Sequence, residues 1–130
     1  MTRLLWLTLL VLSSGQGYAE WKPVYEINDL ATTVSVDPET IHRKGDLVEL
    51  WVMYDSTITQ SGRRGPLRST KTQVEIECEA RRVRILEVTD FSGNMGSGKA
   101  VYSNSDKQGW EPVQPGSVVY ALWNVACGKQ

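Results

Sequence analysis

Arg63, Arg64 and Arg68 fall within the eight residues Ser61-Gly62-Arg63-Arg64-Gly65-Pro66-Leu67-Arg68, in a stretch that carries no acid between Asp55 and Glu75. Guanidinium groups present forked N–H donors that match carboxylates and sulfates. A long basic loop between strands would suit them to acidic protein surfaces or sulfated glycans, and these three arginines are the candidate ligand-binding residues. The competing reading is a solvated hairpin tip kept soluble by its charge.

A second stretch, Gly93-Asn94-Met95-Gly96-Ser97-Gly98-Lys99-Ala100, comes within one residue of the phosphate-loop pattern. Ala100 has no hydroxyl for a magnesium ion, no helical pattern follows it, and no strand-helix-strand unit precedes it, so a glycine-rich hairpin is the better reading. Asp37, Glu39 and His42 are competent metal ligands by type, yet Asp37-Pro38 ahead of Gly45 reads as one capped helical turn with solvated side chains. His42 is the only histidine, and two cysteines expected to pair leave no activated nucleophile. No catalytic residue, metal site or cofactor is therefore assigned, and the chain reads as a binding protein rather than an enzyme.

These residues must be positioned by a small domain. Arg3 precedes the nine residues Leu4 to Leu12, LLWLTLLVL, and small residues Gly17 and Ala19 follow, the arrangement of a secretory signal peptide over residues 1–19. No later run approaches the length of a membrane span, so no transmembrane segment is expected. Near the expected cleavage site there is no cysteine to carry a lipid. The expectation is an exported protein, periplasmic or secreted, with one domain over residues 20–130. With Arg3 removed, 13 basic residues stand against 15 acidic ones, a net charge of −2 that does not ask for nucleic acid. Cys78 and Cys127 are the two cysteines of a chain bound for an oxidising compartment, where pairing is the default.

From Glu20 to Ser105 the sequence offers short β-type runs punctuated by Gly, Pro and Asp. Trp21–Ile27 and Thr32–Val36 suggest a hairpin, and Asp46–Asp55 a central strand. Val74, Ile76 and Cys78 alternate with Gln73, Glu75 and Glu77, and Arg82-Val83-Arg84-Ile85 follows. Folding this stretch about Glu79-Ala80 sets Ile76 opposite Val83 and Val74 opposite Ile85, and on the other face Glu77 opposite Arg82 and Glu75 opposite Arg84. A slip of one residue would bring charge onto the apolar face, so the pattern selects its own register. Because Glu79-Ala80 is poor chemistry for a two-residue turn, a wider tip is expected. Lys99–Asn104 reads as a further strand, after which Pro112 and Pro115 break the ladder. Val118–Cys127 is ambiguous, since its β-branched residues favour a strand. A Ser117 cap, a Gly128 stop and apolar residues at 119, 122, 123 and 126 favour a helix, which is the reading adopted. Trp51 and Trp123 are expected to fill the core between sheet and helix.

The segments VSVDPETIHRKGDLVELWVMYD, STKTQVEIECEARRVRIL and GWEPVQPGSVVYALWNVAC resemble the surface-adhesin protein E family of Gram-negative bacteria. The most specific parts are Asp37-Pro38 before a Trp-bearing strand, Ser69-x-Lys71 leading to Cys78, and Trp110-x-x-Val113-x-Pro115-Gly116-Ser117 leading to Cys127. The resemblance implies an α+β fold: an antiparallel sheet of about six strands with a C-terminal helix packed on one face and tied by a disulfide. It also implies attachment, at the cell surface, to host matrix and plasma proteins such as laminin, vitronectin and plasminogen. Haem enters as a ligand by this resemblance only. An exported envelope protein without a host ligand is the alternative.

Overall fold

The computed structural model describes residues 20–128. The expected signal peptide, residues 1–19, lies outside the described residues.

The chain builds one antiparallel sheet and then a helix. In order, the strands are β1 (Lys22–Ile27), β2 (Thr32–Val36), β3 (His42–Lys44), β4 (Leu47–Gly62), β5 (Gly65–Glu77), β6 (Arg82–Phe91), β7 (Ala100–Asn104) and β8 (Glu111–Pro112), followed by helix α1 (Val118–Cys127). The path across the sheet is β1-β2-β4-β5-β6-β7, with β3 pairing β4 and β8 pairing β6 off that path. The sheet therefore has eight strands rather than about six. Three residues and two residues are too short to show an alternating pattern, and Pro112 reads locally as a breaker. It is tolerated because β8 is a short strand paired only to β6.

Alternation along the strands sorts the side chains. Val34 and Val36 of β2, Val48, Leu50 and Val52 of β4, Val74 and Ile76 of β5 and Val83 of β6 gather into one buried cluster, which also holds Leu122, Trp123 and Ala126 of α1. Val48, Leu50, Val52 and Ile76 are wholly inaccessible to solvent. Ser117 caps α1 by accepting the Tyr120 N–H, and Gly128 ends it in the left-handed conformation with φ 66°. Cys78 and Cys127 are bonded, so the last turn of α1 is joined to the end of β5. Trp123 adds a second tie, its indole N–H donating to the Cys78 carbonyl at 3.1 Å.

Trp51 behaves differently from expectation. It occupies an odd position of β4 and pairs with Gln73, so it sits on the face away from the apolar cluster, with the Lys71 ammonium 4.8 Å from its ring centre. The period of two, not the hydrophobicity of the side chain, decides its face.

The β5–β6 hairpin has the register expected from its sequence: Val74 opposite Ile85, Glu75 opposite Arg84, Ile76 opposite Val83 and Glu77 opposite Arg82. Both charged couples are salt bridges. The tip is wider than two residues, running from Cys78 to Arg81.

Candidate functional site

The apolar cluster covers only part of its sheet face. Beyond α1, the same face opens into a cleft of about 760 Å³, between the turn after β1, the β4–β5 hairpin and the segment leading into α1. Its floor comes from alternate residues of neighbouring strands: Tyr54 of β4, Thr70, Thr72 and Val74 of β5, and Val88 and Asp90 of β6.

A bulge in β4 shapes this cleft. Five steps along β4, from Asp55 to Gln60, match two along β5, from Ser69 to Leu67, so β4 carries three extra residues. Extra residues bend a strand and re-aim the side chains beyond them. Past the bulge the hairpin runs on to a two-residue tip at Arg63-Arg64, where Gly62 pairs with Gly65 and Gly65 takes φ 135°, a conformation L side chains avoid. The bulge is laced from both sides. The Leu30 carbonyl accepts from the Thr32 and Ser56 hydroxyls and from the Gln60 amide, at 2.9, 3.0 and 3.0 Å.

The three arginines consequently differ. Ser61–Arg68 is not a long loop but the end of two paired strands, because β4 extends well past Asp55. Arg68 donates from Nε to the Thr59 hydroxyl and from Nη1 to the Thr57 carbonyl, both at 3.3 Å, and so holds the bulge while it lines the cleft. Arg63 is exposed at the tip and lies 5.0 Å from the centre of the Tyr102 ring. Arg64 is exposed on the other side, beside Ala100–Ser103 of β7, and does not line the cleft. A run of β-branched residues, Thr57-Ile58-Thr59, followed by Gly-x-x-Gly, is the signal that could have revealed the hairpin.

Two polar groups in the cleft carry no local signal in the sequence. Asp90 is buried, 7% exposed, and accepts from the Thr70 hydroxyl at 2.8 Å. Tyr54 lies between Val34 and Thr70, and burial pushes its phenol above the usual value of 10.0.

The glycine-rich segment lies elsewhere and is occupied by the protein's own groups. It connects β6 to β7 as a hairpin, and the Met95 N–H and Asn94 amide both donate to Asp55 Oδ1, at 2.6 and 3.1 Å. The Gly96 N–H donates to the Ser69 hydroxyl and the Lys99 N–H to the Ser92 hydroxyl, both at 2.9 Å. Backbone N–H groups that would cradle a phosphate in a nucleotide-binding loop are thus already bonded. Asp37 is likewise engaged, since its carboxylate accepts the Glu39 N–H and caps the turn, while His42 is exposed on β3 opposite Glu49. Among the described residues no helix is long and apolar enough to cross a membrane.

The family model for surface-adhesin protein E matches residues 21–128. Among solved structures, protein E of Haemophilus influenzae aligns with a TM-score of 0.63 at 13% identity, over 87% of each chain. Its selenomethionine form aligns with a TM-score of 0.63 at 12% identity, over 88% of this chain and 90% of that one. A further crystal form aligns with a TM-score of 0.60 at 12% identity, over 86% and 97%. A comparison with curated protein sequences returned no match. With nearly all of its described length matched by that family model, the chain belongs to the surface-adhesin protein E family.

Proposed function

We propose that this protein is an exported, non-enzymatic binding module that attaches to host matrix or plasma proteins, with laminin, vitronectin and plasminogen as the first candidates. The family match over residues 21–128 carries the reading. The large open cleft and the exposed Arg63 and Arg64 beside it supply surface of the kind a protein partner needs: a floor of mixed apolar and polar residues with charge at the rim.

Solid-phase binding of the exported protein to each immobilised host protein tests this. Saturable binding to at least one is expected, weakened several-fold in Arg63→Ala/Arg64→Ala. Arg68 is better replaced by Lys than by Ala, because losing its bonds to the bulge would confuse a folding defect with a binding defect. Absence of binding to all three would remove the host-protein reading. Labelling of intact cells decides the compartment: a surface adhesin is labelled, whereas recovery only with periplasmic contents favours an envelope protein without a host ligand.

A further inference from the structure

The cleft contains an acidic side chain, Asp90, that no cation among the described residues pairs, alongside Arg63, Arg68, Arg84 and Glu111. Asp90 is more than nine-tenths buried, and its hydrogen-bond partner is a neutral group, the Thr70 hydroxyl on Oδ1. Among the described residues the salt bridges are Arg82–Glu77 and Arg84–Glu75, so no cation pairs with Asp90. Taking a carboxylate out of water is costly unless a cation or several donors compensate. No buried side-chain oxygen or nitrogen is left without a partner among the described residues. Asp90 Oδ2, which has no protein partner, therefore keeps some access to solvent, and Asp90 lines the cleft.

Three arginines line the same cleft and are held elsewhere. Arg68 is bonded to Thr57 and Thr59 across the bulge, Arg63 stacks on Tyr102, and Arg84 is paired with Glu75. Around Asp90 the floor is Thr70, Thr72 and Val88, with Tyr54 on the far side of Thr70. The Tyr54 hydroxyl also has no hydrogen-bond partner among the described residues, and Tyr54 also lines the cleft. A trough of threonine and valine side chains that ends in a carboxylate and a phenol is complementary to an aliphatic stem carrying a positive head.

We propose that this cleft receives a Lys or Arg side chain of a partner protein, with Asp90 as its counter-ion, Tyr54 as an added hydrogen-bond partner and Val88 against its stem. The proposal deepens the binding-module reading and rests on it. It reverses the polarity suggested by the exposed arginines, since here the partner brings the positive charge.

Amide-resolved NMR titration with the capped peptide Ac-Leu-Lys-Leu-NH2 provides the test, with Ac-Leu-Glu-Leu-NH2 and the norleucine-centred peptide alongside. Saturable shifts at Asp90, Thr70 and Val88 are expected with the lysine peptide, and at least tenfold weaker binding with the other two. Asp90→Asn keeps the shape and the Thr70 bond and should cost about tenfold or more in affinity, whereas Tyr54→Phe should cost a few-fold. Arg63→Ala should tighten binding, because it removes a competing positive charge from the rim. If Asp90→Asn disturbs the amide spectrum, the Arg63→Ala result and the peptide series still decide. Equal binding of the glutamate peptide, or tighter binding of it, would overturn the proposal. So would unchanged lysine-peptide affinity in a folded Asp90→Asn protein. Failure of laminin, vitronectin or plasminogen to bind in the solid-phase assay leaves this titration untouched, so the two failures are distinguishable.

Discussion

Single residues set the local energetics. Burial raises the Tyr54 phenol above 10.0. Below that pH the group is neutral in both folded and unfolded chains, and folding exchanges no proton there. Above it the unfolded chain ionises first, so stability falls as pH climbs until the folded-state phenol also ionises. Tyr54→Phe removes this linkage. In urea denaturation one pH unit above 10.0, the wild type should lose up to about 1.4 kcal/mol more than the variant loses. Parallel losses in the two proteins would count against the burial. Leu50, wholly inaccessible in the apolar cluster, is a packing control: Leu50→Ala should cost about 2–5 kcal/mol, read from the denaturation midpoint.

Asp55 acts at one point but controls a longer segment, which leads to the scale of elements. Met95 adopts φ 53°, a left-handed conformation unfavourable for a non-glycine residue, and its N–H is held by Asp55. Asp55→Ala should free the β6–β7 connection, costing about 2 kcal/mol from two charge-assisted bonds and accelerating amide exchange at Met95 and Gly96. Exchange unchanged at those two amides would show that the latch is unimportant. The β5–β6 hairpin offers a graded comparison. Glu77 and Arg82 are 28% and 44% exposed, whereas Glu75 and Arg84 are 8% and 23% exposed. Arg84 also lies 4.3 Å from the Trp110 ring centre. A double-mutant cycle should give the outer pair about 0.2–1 kcal/mol and the inner pair more, because solvent screens it less. This hairpin was legible in the sequence because two independent patterns, apolar alternation and charge complementarity, pointed to one register. The β4–β5 hairpin was not, because its bulge breaks the period of two at the place where Asp55 and a run of polar residues suggest that the strand has ended.

For the whole molecule, the Cys78–Cys127 bond closes a loop of 49 residues between β5 and α1. Chain-entropy arguments assign such a closure roughly 4 kcal/mol. Reduction should therefore lower the denaturation midpoint by an amount comparable to much of a small domain's stability, about 5–15 kcal/mol. A midpoint insensitive to reductant would contradict that role. The candidate site was only partly readable at this scale. Arg63, Arg64 and Arg68 were visible as a charge cluster, but tertiary structure separates them into a stacked residue, an exposed residue and a brace for the bulge. Asp90 gave no signal at all, because an aspartate at the end of a strand looks solvated until the neighbouring strands bury it.

The residues alone determined whatever depends on near neighbours in the chain or on counting: the β5–β6 register, the Ser117 and Gly128 ends of the helix, the pairing of two cysteines and the family resemblance. Tertiary structure decided what depends on which surfaces meet. It put Trp51 on the face away from the core, closed the phosphate-like loop onto Asp55, and left part of the sheet beyond α1 open as a cleft. Those outcomes arise from strand order and a three-residue bulge, which bring together residues far apart in sequence, and no local pattern encodes such distances.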